Sequence, residues 1–212
     1  MDRLFLVCAL ISFFCRFANA FPGGAPATTC KTMAPNVASH GAGPQTTDPP
    51  YMIQTDKTYY NQSSNITVTV KATGSATIKG ILIQAREMGK EKPLGRFTMI
   101  PPMTKNLDCT PSGAENKLGA VTHSQSLGMA KMLTFQWEPT SMTTGDIYFM
   151  ATIVQSANTY WLRVKSNKLQ DKTAGMVKTT PSNTSSTQNG AISNAAVSIA
   201  LLILAISAKL FI

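Results

Sequence analysis

The chain has 212 residues and a formal net charge of +9, from 19 Lys and Arg against 10 Asp and Glu. This length is typical of a single domain, and no internal repeat divides it. The basic residues are scattered rather than massed in runs, so an electrostatic role would be directed at anionic glycans or lipids.

Residues 1–20 have the pattern of a secretory signal peptide. Arg3 supplies a positive charge, residues 4–15 form an apolar run too short to span a bilayer, and Ala18-Asn19-Ala20 provides a small-x-small cleavage site. We therefore expect a mature chain that begins at Phe21. The alternative is an uncleaved N-terminal membrane anchor.

Residues 21–50 are rich in Pro, Gly, Ala and Thr and have no hydrophobic period, which predicts an irregular lead-in. Cys30 and the later Cys109 are the cysteines that remain once Cys8 and Cys15 leave with the signal peptide. In an oxidising compartment this pair most simply forms one disulfide, worth about 4 kcal/mol, and two free thiols are the alternative.

From Tyr51 the sequence changes to short runs in which apolar and polar residues alternate, the pattern of half-buried strands. The strands predicted in this way are residues 66–72, 78–87, 94–100, 131–137, 146–155 and 159–166. Roughly seven or eight short strands without a helical period between them predict an all-β, antiparallel sandwich.

The two tryptophans are the largest side chains in these strands. We expect Trp137 to lie in the core. Trp161 alternates with Tyr160 and falls on the same predicted face as Arg163 and Lys165, so we expect it to be partly exposed.

Three triplets fit the N-glycosylation acceptor pattern, at Asn61, Asn65 and Asn183. Each triplet is weak evidence by itself because the pattern is short. Downstream of an export signal, we expect these sites to carry sugars.

The end of the chain predicts a membrane tether. Residues 170–194 are rich in Thr, Ser and Asn and are expected to form a flexible stalk. Residues 195–212 are almost wholly apolar, which is the pattern of a glycosylphosphatidylinositol (GPI) attachment signal. The expected attachment residue is Asn189, with Ser185 or Ser186 as alternatives. A retained membrane-spanning helix is the other interpretation.

The mature chain offers little for catalysis. Its two histidines, His40 and His123, are too few for a zinc site when both cysteines are paired, and its carboxylates are isolated. Ser124 beside His123 is not a catalytic triad, and no phosphate or dinucleotide loop is present. We expect no enzyme activity, no cofactor and no metal, and interpret His123 as a hydrogen-bonded structural residue.

Basic residues on neighbouring strands form a candidate binding patch. Arg86, Lys90, Lys92 and Arg96 lie on two predicted strands and their shared turn, so they are expected to converge on one edge of the sandwich. A second basic stretch contains Arg163, Lys165 and Lys168. The expected ligands are anionic glycans or microbial surface polymers, and the alternative is a surface that serves solubility alone.

A set of segments in the same order and spacing resembles the reeler domain family. The segments are Phe21-Pro22-Gly23-Gly24-Ala25-Pro26, Cys30 with Met33-Ala34-Pro35, Pro50-Tyr51-Met52-Ile53, Gly80-Ile81-Leu82-Ile83-Gln84-Ala85-Arg86, Leu94-Gly95-Arg96-Phe97, Cys109, Val121-Thr122-His123-Ser124, Phe135-Gln136-Trp137-Glu138-Pro139, Ala151-Thr152-Ile153-Val154 and Tyr160-Trp161. The resemblance covers residues 21–169. It implies an immunoglobulin-like β-sandwich with a Cys30–Cys109 bridge.

The function expected from these features is non-enzymatic recognition outside the cell by a protein tethered to the plasma membrane. The resemblance extends to insect defence proteins, which implies a role in innate immunity, and to the lumenal part of ferric-chelate-reductase-like proteins. Haem is not expected, because the apolar tail contains no histidine. Nucleic acid is not expected as a partner of an exported chain. The alternatives are a secreted antimicrobial effector and an accessory of a reductase-like electron-transfer system.

Overall fold

The computed structural model describes residues 23–173. Within them the strands are β1 Tyr51–Thr55, β2 Tyr59–Tyr60, β3 Ile66–Ala72, β4 Gly80–Glu87, β5 Arg96–Met99, β6 Thr104–Leu107, β7 Ala120–His123, β8 Met132–Glu138, β9 Ile147–Ser156, β10 Thr159–Lys165 and β11 Gln170–Asp171. Helical structure in the same residues comprises one short helix, α1 at Val37–His40, and two 3-10 turns at Ala27–Thr29 and Thr110–Ser112.

Two antiparallel sheets pack face to face as a β-sandwich. The four-stranded sheet has the order β1-β3-β8-β5, and the five-stranded sheet has the order β10-β9-β4-β7-β6. Alternate residues of facing strands point inward, so that Val68 and Phe135 from one sheet share a core with Ile83 and Phe149 from the other. The predicted fold class is therefore confirmed.

The strands with clear alternation are where the sequence predicted them. In β3 and β8 the buried residues alternate with exposed or half-buried ones along the whole strand. Trp137 is completely buried in β8, and its indole N–H donates to the carbonyl oxygen of Leu94 at 3.1 Å. The expected core position of Trp137 is confirmed.

The expected exposure of Trp161 is wrong. A register shift interrupts the pairing of β10 with β9 between Trp161 and Val164, and Arg163 has a φ of 51° at this bulge. A bulge inserts a residue without changing the neighbouring strand, so the alternation of faces changes there. Trp161 is 8% exposed in the main core and packs edge-on against Tyr51, with ring centroids 5.4 Å apart.

Strand β4 is buried on both faces, although the sequence predicted a half-buried strand. Ile81, Ile83 and Ala85 face the core between the sheets, as expected. Leu82 lies on the outer face in a second apolar cluster, which also contains Cys30, Met33, Leu107, Cys109, Ala114, Ala120 and Met150. The lead-in at residues 23–50 thus supplies a layer over the outer face of the five-stranded sheet.

The predicted disulfide is confirmed and holds this layer in place. Cys30 and Cys109 are bonded, with their Cα atoms 5.7 Å apart, and both are completely buried. Two side-chain hydrogen bonds also attach the lead-in to the five-stranded sheet. The Thr152 hydroxyl donates to the carbonyl oxygen of Met33 at 2.6 Å, and the Tyr160 hydroxyl donates to that of Ala42 at 3.0 Å.

The folded part continues beyond the predicted boundary at residue 169. Strand β11 pairs in parallel with β2, and the amide of Lys172 donates to the carbonyl oxygen of Tyr60 at 2.8 Å. The predicted signal peptide, Phe21, Pro22, the rest of the predicted stalk and the apolar residues 195–212 lie outside the described residues. Between residues 23 and 173, no helix is long and apolar enough to cross a membrane.

Candidate functional site

Arg86 does not contribute to a binding patch, and this part of the sequence prediction is corrected. The residue is 1% exposed on the outer face of β4, beneath the lead-in. Its guanidinium donates to the side-chain oxygen of Gln84 at 2.8 Å, to the carbonyl oxygen of Lys31 at 3.0 Å and to that of Cys30. Burial, with a smaller effect from nearby Arg163, lowers the pKa of Arg86 to about 10, so it is charged at neutral pH.

Two other members of the predicted patch are engaged by carboxylates. Arg96 donates to Glu138 at 2.8 Å. Lys92 lies 3.8 Å from Glu115, whose side chain is almost fully buried and also accepts a hydrogen bond from the Thr140 hydroxyl. These pairs cross between strands and loops that are far apart in the sequence, so the spacing of the basic residues alone does not reveal them.

The structure instead assembles a different group of cations, called here the basic surface: Lys31, Lys90, Arg163 and Lys165. Arg163 donates to the carbonyl oxygen of Thr32 at 3.0 Å, which brings it beside Lys31. The Lys165 ammonium lies 3.9 Å from the sulfur of Met88, in the turn that carries Lys90. The basic surface therefore joins part of each stretch that the sequence analysis treated separately.

The basic surface has an excess of positive charge. Within residues 23–173, the ion pairs involve Lys92, Arg96, Lys117 and Lys168, and none involves a member of the basic surface. Lys168, which the sequence placed in the second basic stretch, pairs with Asp146 at 2.8 Å. Exposed cations without carboxylate partners retain their attraction for an external anion.

A cavity of about 400 Å³ lies between the lead-in and the outer face of the five-stranded sheet. Met33 and Leu82 are buried in its wall, while the half-buried His40 and His123 and the exposed Lys79 are nearer to solvent. Sequence reasoning missed this cavity. The signal was the near-continuous apolar run of β4, which indicates a strand covered on both faces.

Both histidines of the chain line this cavity and contact backbone groups. His40 Nδ1 lies 2.8 Å from the carbonyl oxygen of Ala157, an acceptor, so this nitrogen carries the proton. His123 Nδ1 lies 3.2 Å from the amide nitrogen of Ile81. A Cβ on Gly80 would be 3.0 Å from the His123 ring, so glycine permits this close packing.

The cavity has no arrangement of groups that would support metal binding. Within the described part of the chain, no three His, Cys, Asp or Glu residues are grouped so that they could hold a metal ion. The residues that line the cavity include no carboxylate. The lining is mainly apolar with a few polar side chains, which is typical of small-molecule binding sites.

The two described glycosylation asparagines, Asn61 and Asn65, lie between β2 and β3. Asn65 is exposed, whereas the side-chain oxygen of Asn61 accepts hydrogen bonds from the amide of Ser63 at 3.0 Å and the hydroxyl of Ser64 at 3.2 Å. Glycosylation of both remains a prediction. Asn183 and the candidate GPI attachment residues Asn189, Ser185 and Ser186 lie outside the described residues.

Comparison with known proteins identifies a family and several relatives. The Reeler domain family model matches residues 28–176. Defense protein l(2)34Fc of Drosophila melanogaster is 29% identical over 163 residues, 76% of this chain and 94% of that protein. The provisionally named defence protein 3 of Antheraea mylitta is 33% identical over 149 residues, 70% of this chain and 85% of that protein.

One relative is much longer than this chain. The provisionally named ferric-chelate reductase 1 of Danio rerio is 29% identical over 174 residues, and the match spans 82% of this chain but 29% of that protein.

Among solved structures, the human F-spondin reeler domain is similar with a TM-score of 0.48 at 18% identity, covering 62% of this chain and 95% of that one.

Proposed function

Because the chain belongs to the Reeler domain family, we propose that it is a non-enzymatic recognition protein of the cell exterior with a role in innate defence. The similarity to insect proteins named for defence supports this role, since the match spans 94% of the Drosophila protein and 85% of the Antheraea protein. We further propose that a GPI anchor tethers the protein to the plasma membrane. The apolar C-terminal sequence supports that part of the proposal.

The basic surface is the observation that carries the recognition proposal. Its four cations are exposed and have no carboxylate partner within the described residues. Sulfated or phosphorylated polymers, such as matrix glycans or microbial envelope polymers, present the opposite charge. Contacts between exposed charges are screened over about 8 Å at physiological ionic strength, so this binding should weaken as salt rises.

Binding to heparin, with a microbial envelope polymer in parallel, tests the basic surface. Lys90 and Lys165 would be changed together to Ser in the full chain, and the control would change the exposed Lys71 and Lys105 in the same way. We expect the first variant to bind about tenfold more weakly and the control to bind like the unmodified protein. Equal losses in the two variants, or no binding to either polymer at low salt, would contradict the proposal.

The tether is tested independently on intact cells. A phosphatidylinositol-specific phospholipase should release the protein into the medium. Persistence on the cell, together with survival of an epitope placed after Ile212, would instead identify a retained membrane-spanning helix. Appearance in the medium without phospholipase would support the alternative of a secreted effector.

A further inference from the structure

The cavity between the lead-in and the five-stranded sheet has the features of a ligand site. Its volume of about 400 Å³ lies within the range of about 300–1,000 Å³ that is typical of small-molecule sites. That size suits a ligand with one chain or one ring system better than a lipid with several chains. The inference does not depend on the basic surface or on the tether.

The buried part of the wall favours an apolar body. Met33 and Leu82 are buried in the second apolar cluster, and Pro26 and Ala25 continue the wall along the lead-in. The buried hydroxyl of Thr152 is already used, because it donates to the carbonyl oxygen of Met33 at 2.6 Å. A hydrogen-bond acceptor of the ligand placed there would lose its hydration without gaining the Thr152 donor, whereas a hydrocarbon would lose no hydrogen bond.

The solvent side of the cavity favours a negative charge. Lys79 is exposed and lines the cavity, and His123, which packs against the neighbouring Gly80, is another lining residue. No described residue in the lining carries a negative charge. The Lys79 ammonium has no carboxylate within ion-pair distance among residues 23–173. One cation at the rim matches one anionic group on a ligand.

From this arrangement we propose that the cavity binds a small amphiphilic monocarboxylate. Its apolar body lies between Met33 and Leu82, and its carboxylate lies beside Lys79. The buried part of the lining thereby recognises the apolar body of the ligand, and the exposed part recognises its carboxylate. This polarity distinguishes the proposed site from a cavity that is merely apolar, and it can be tested with ligands that differ in the head group alone.

The test uses the full chain, produced in a eukaryotic secretory host, stripped of bound lipid and transferred to detergent-free buffer. Decanoate, decan-1-ol and decyltrimethylammonium share one chain length and carry an anionic, a neutral and a cationic head. Calorimetry should show saturable binding of one decanoate per protein. We expect the neutral probe to bind about fivefold more weakly and the cationic probe more weakly still.

Lys79→Glu reverses the charge at the solvent side of the cavity and tests its role in binding. Lys71→Glu is the matched control, because Lys71 is exposed on the other sheet. We expect decanoate affinity to fall about fivefold or more in Lys79→Glu and to remain within about twofold in the control. Lys79→Gln provides the same comparison without charge reversal if the first variant is poorly folded.

Several results would overturn the proposal. Equal binding of the three probes, or equal loss in the two lysine variants, would show non-specific hydrophobic uptake. No saturable decanoate binding by the stripped protein would show that the cavity is occupied by solvent or by the chain itself. In contrast, if the variant with Lys90 and Lys165 changed to Ser loses heparin binding but keeps decanoate binding, the result supports a cavity site that is separate from the basic surface.

Discussion

The guanidinium of Arg86 donates a hydrogen bond to the main-chain oxygen of Cys30, the residue that is also bonded to Cys109. Cys30 of the lead-in is therefore held twice, by a covalent bond to Cys109, just before the 3-10 turn at Thr110–Ser112, and by a hydrogen bond from a buried cation of β4. Gln84 adds a third attachment, because its side-chain amide donates to the same oxygen at 3.2 Å. A sequence segment without regular structure becomes part of the core in this way.

Replacement of Arg86 tests the buried cation. Arg86→Met preserves an apolar stem but leaves the oxygens of Lys31 and Gln84 with fewer donors in a buried site. We expect the free energy of unfolding to fall by about 3 kcal/mol, measured by denaturant titration. The control Arg96→Met removes an exposed ion pair and should cost no more than about 1 kcal/mol. Similar losses in the two variants would show that burial of Arg86 is energetically unimportant.

Removal of the disulfide should loosen the lead-in before it unfolds the sandwich. We expect replacement of Cys30 and Cys109 together by Ser to cost about 2–5 kcal/mol. Hydrogen exchange should accelerate most in residues 23–50, while β3, in the opposite sheet, retains its protection. Uniform acceleration across both sheets would contradict this order of events. Linked Cys30 and Cys109 peptides in a non-reduced digest of the unmodified protein would verify the starting state.

Two adjacent glycines provide a matched test of how the lead-in meets β7. Gly24 has a φ of +100°, and a Cβ there would lie 2.0 Å from the carbonyl oxygen of His123. We expect Gly24→Ala to destabilise the protein by at least about 2 kcal/mol, since both the backbone angle and the contact are unfavourable. A Cβ on Gly23 would meet nothing within 4 Å, so Gly23→Ala should change stability by no more than about 0.5 kcal/mol. Thermal unfolding of the two variants distinguishes these outcomes.

Glu115 should make stability depend on pH in an identifiable direction. Burial raises its pKa above the ordinary value of 4.5, and Lys92 opposes the shift. The folded protein therefore binds this proton more tightly than the unfolded chain does. The resulting contribution of Glu115 to the free energy of unfolding is fully present below the pKa of this carboxyl in the unfolded chain. It is lost as pH rises through the pKa in the folded protein.

Comparison with Glu115→Gln isolates this effect. The difference in free energy of unfolding, unmodified protein minus variant, should decrease between about pH 4 and about pH 7. Chemical denaturation at a series of pH values would measure it. A constant difference would mean that Lys92 and Thr140 fully offset the effect of burial on the carboxyl, and a difference that increases with pH would mean that they outweigh it.

The strands that could be predicted from the sequence are those in which only one face is covered by other residues. In β3 and β8 one face meets the core and the other meets solvent, so the alternation of residue types reports the orientation directly. In β10 the bulge at Arg163 changes the faces, and alternation alone places Trp161 incorrectly. Two-residue strands such as β2 and β11 contain too few residues to show any period.

The candidate sites were less predictable because they depend on contacts between distant segments. The sequence shows that Lys92 and Arg96 are basic, but the carboxylates that engage them, Glu115 and Glu138, are located by the fold. The same is true of the cavity, one wall of which is a lead-in with no periodic pattern. A charged residue within an apolar run, such as Arg86 in β4, indicates a covering segment rather than a surface.

Strand β11 and the cavity lie near opposite ends of β9. The carbonyl oxygen and amide of Leu169, just before β11, pair with Ile147 at the first residue of β9, whereas Val154 and Ser156, at the far end of the same strand, line the cavity. Strand β9 is ten residues long, so its first and last residues lie about 30 Å apart. A group attached after Thr173 would therefore be joined to the domain at the end opposite the cavity, and it would leave the cavity accessible.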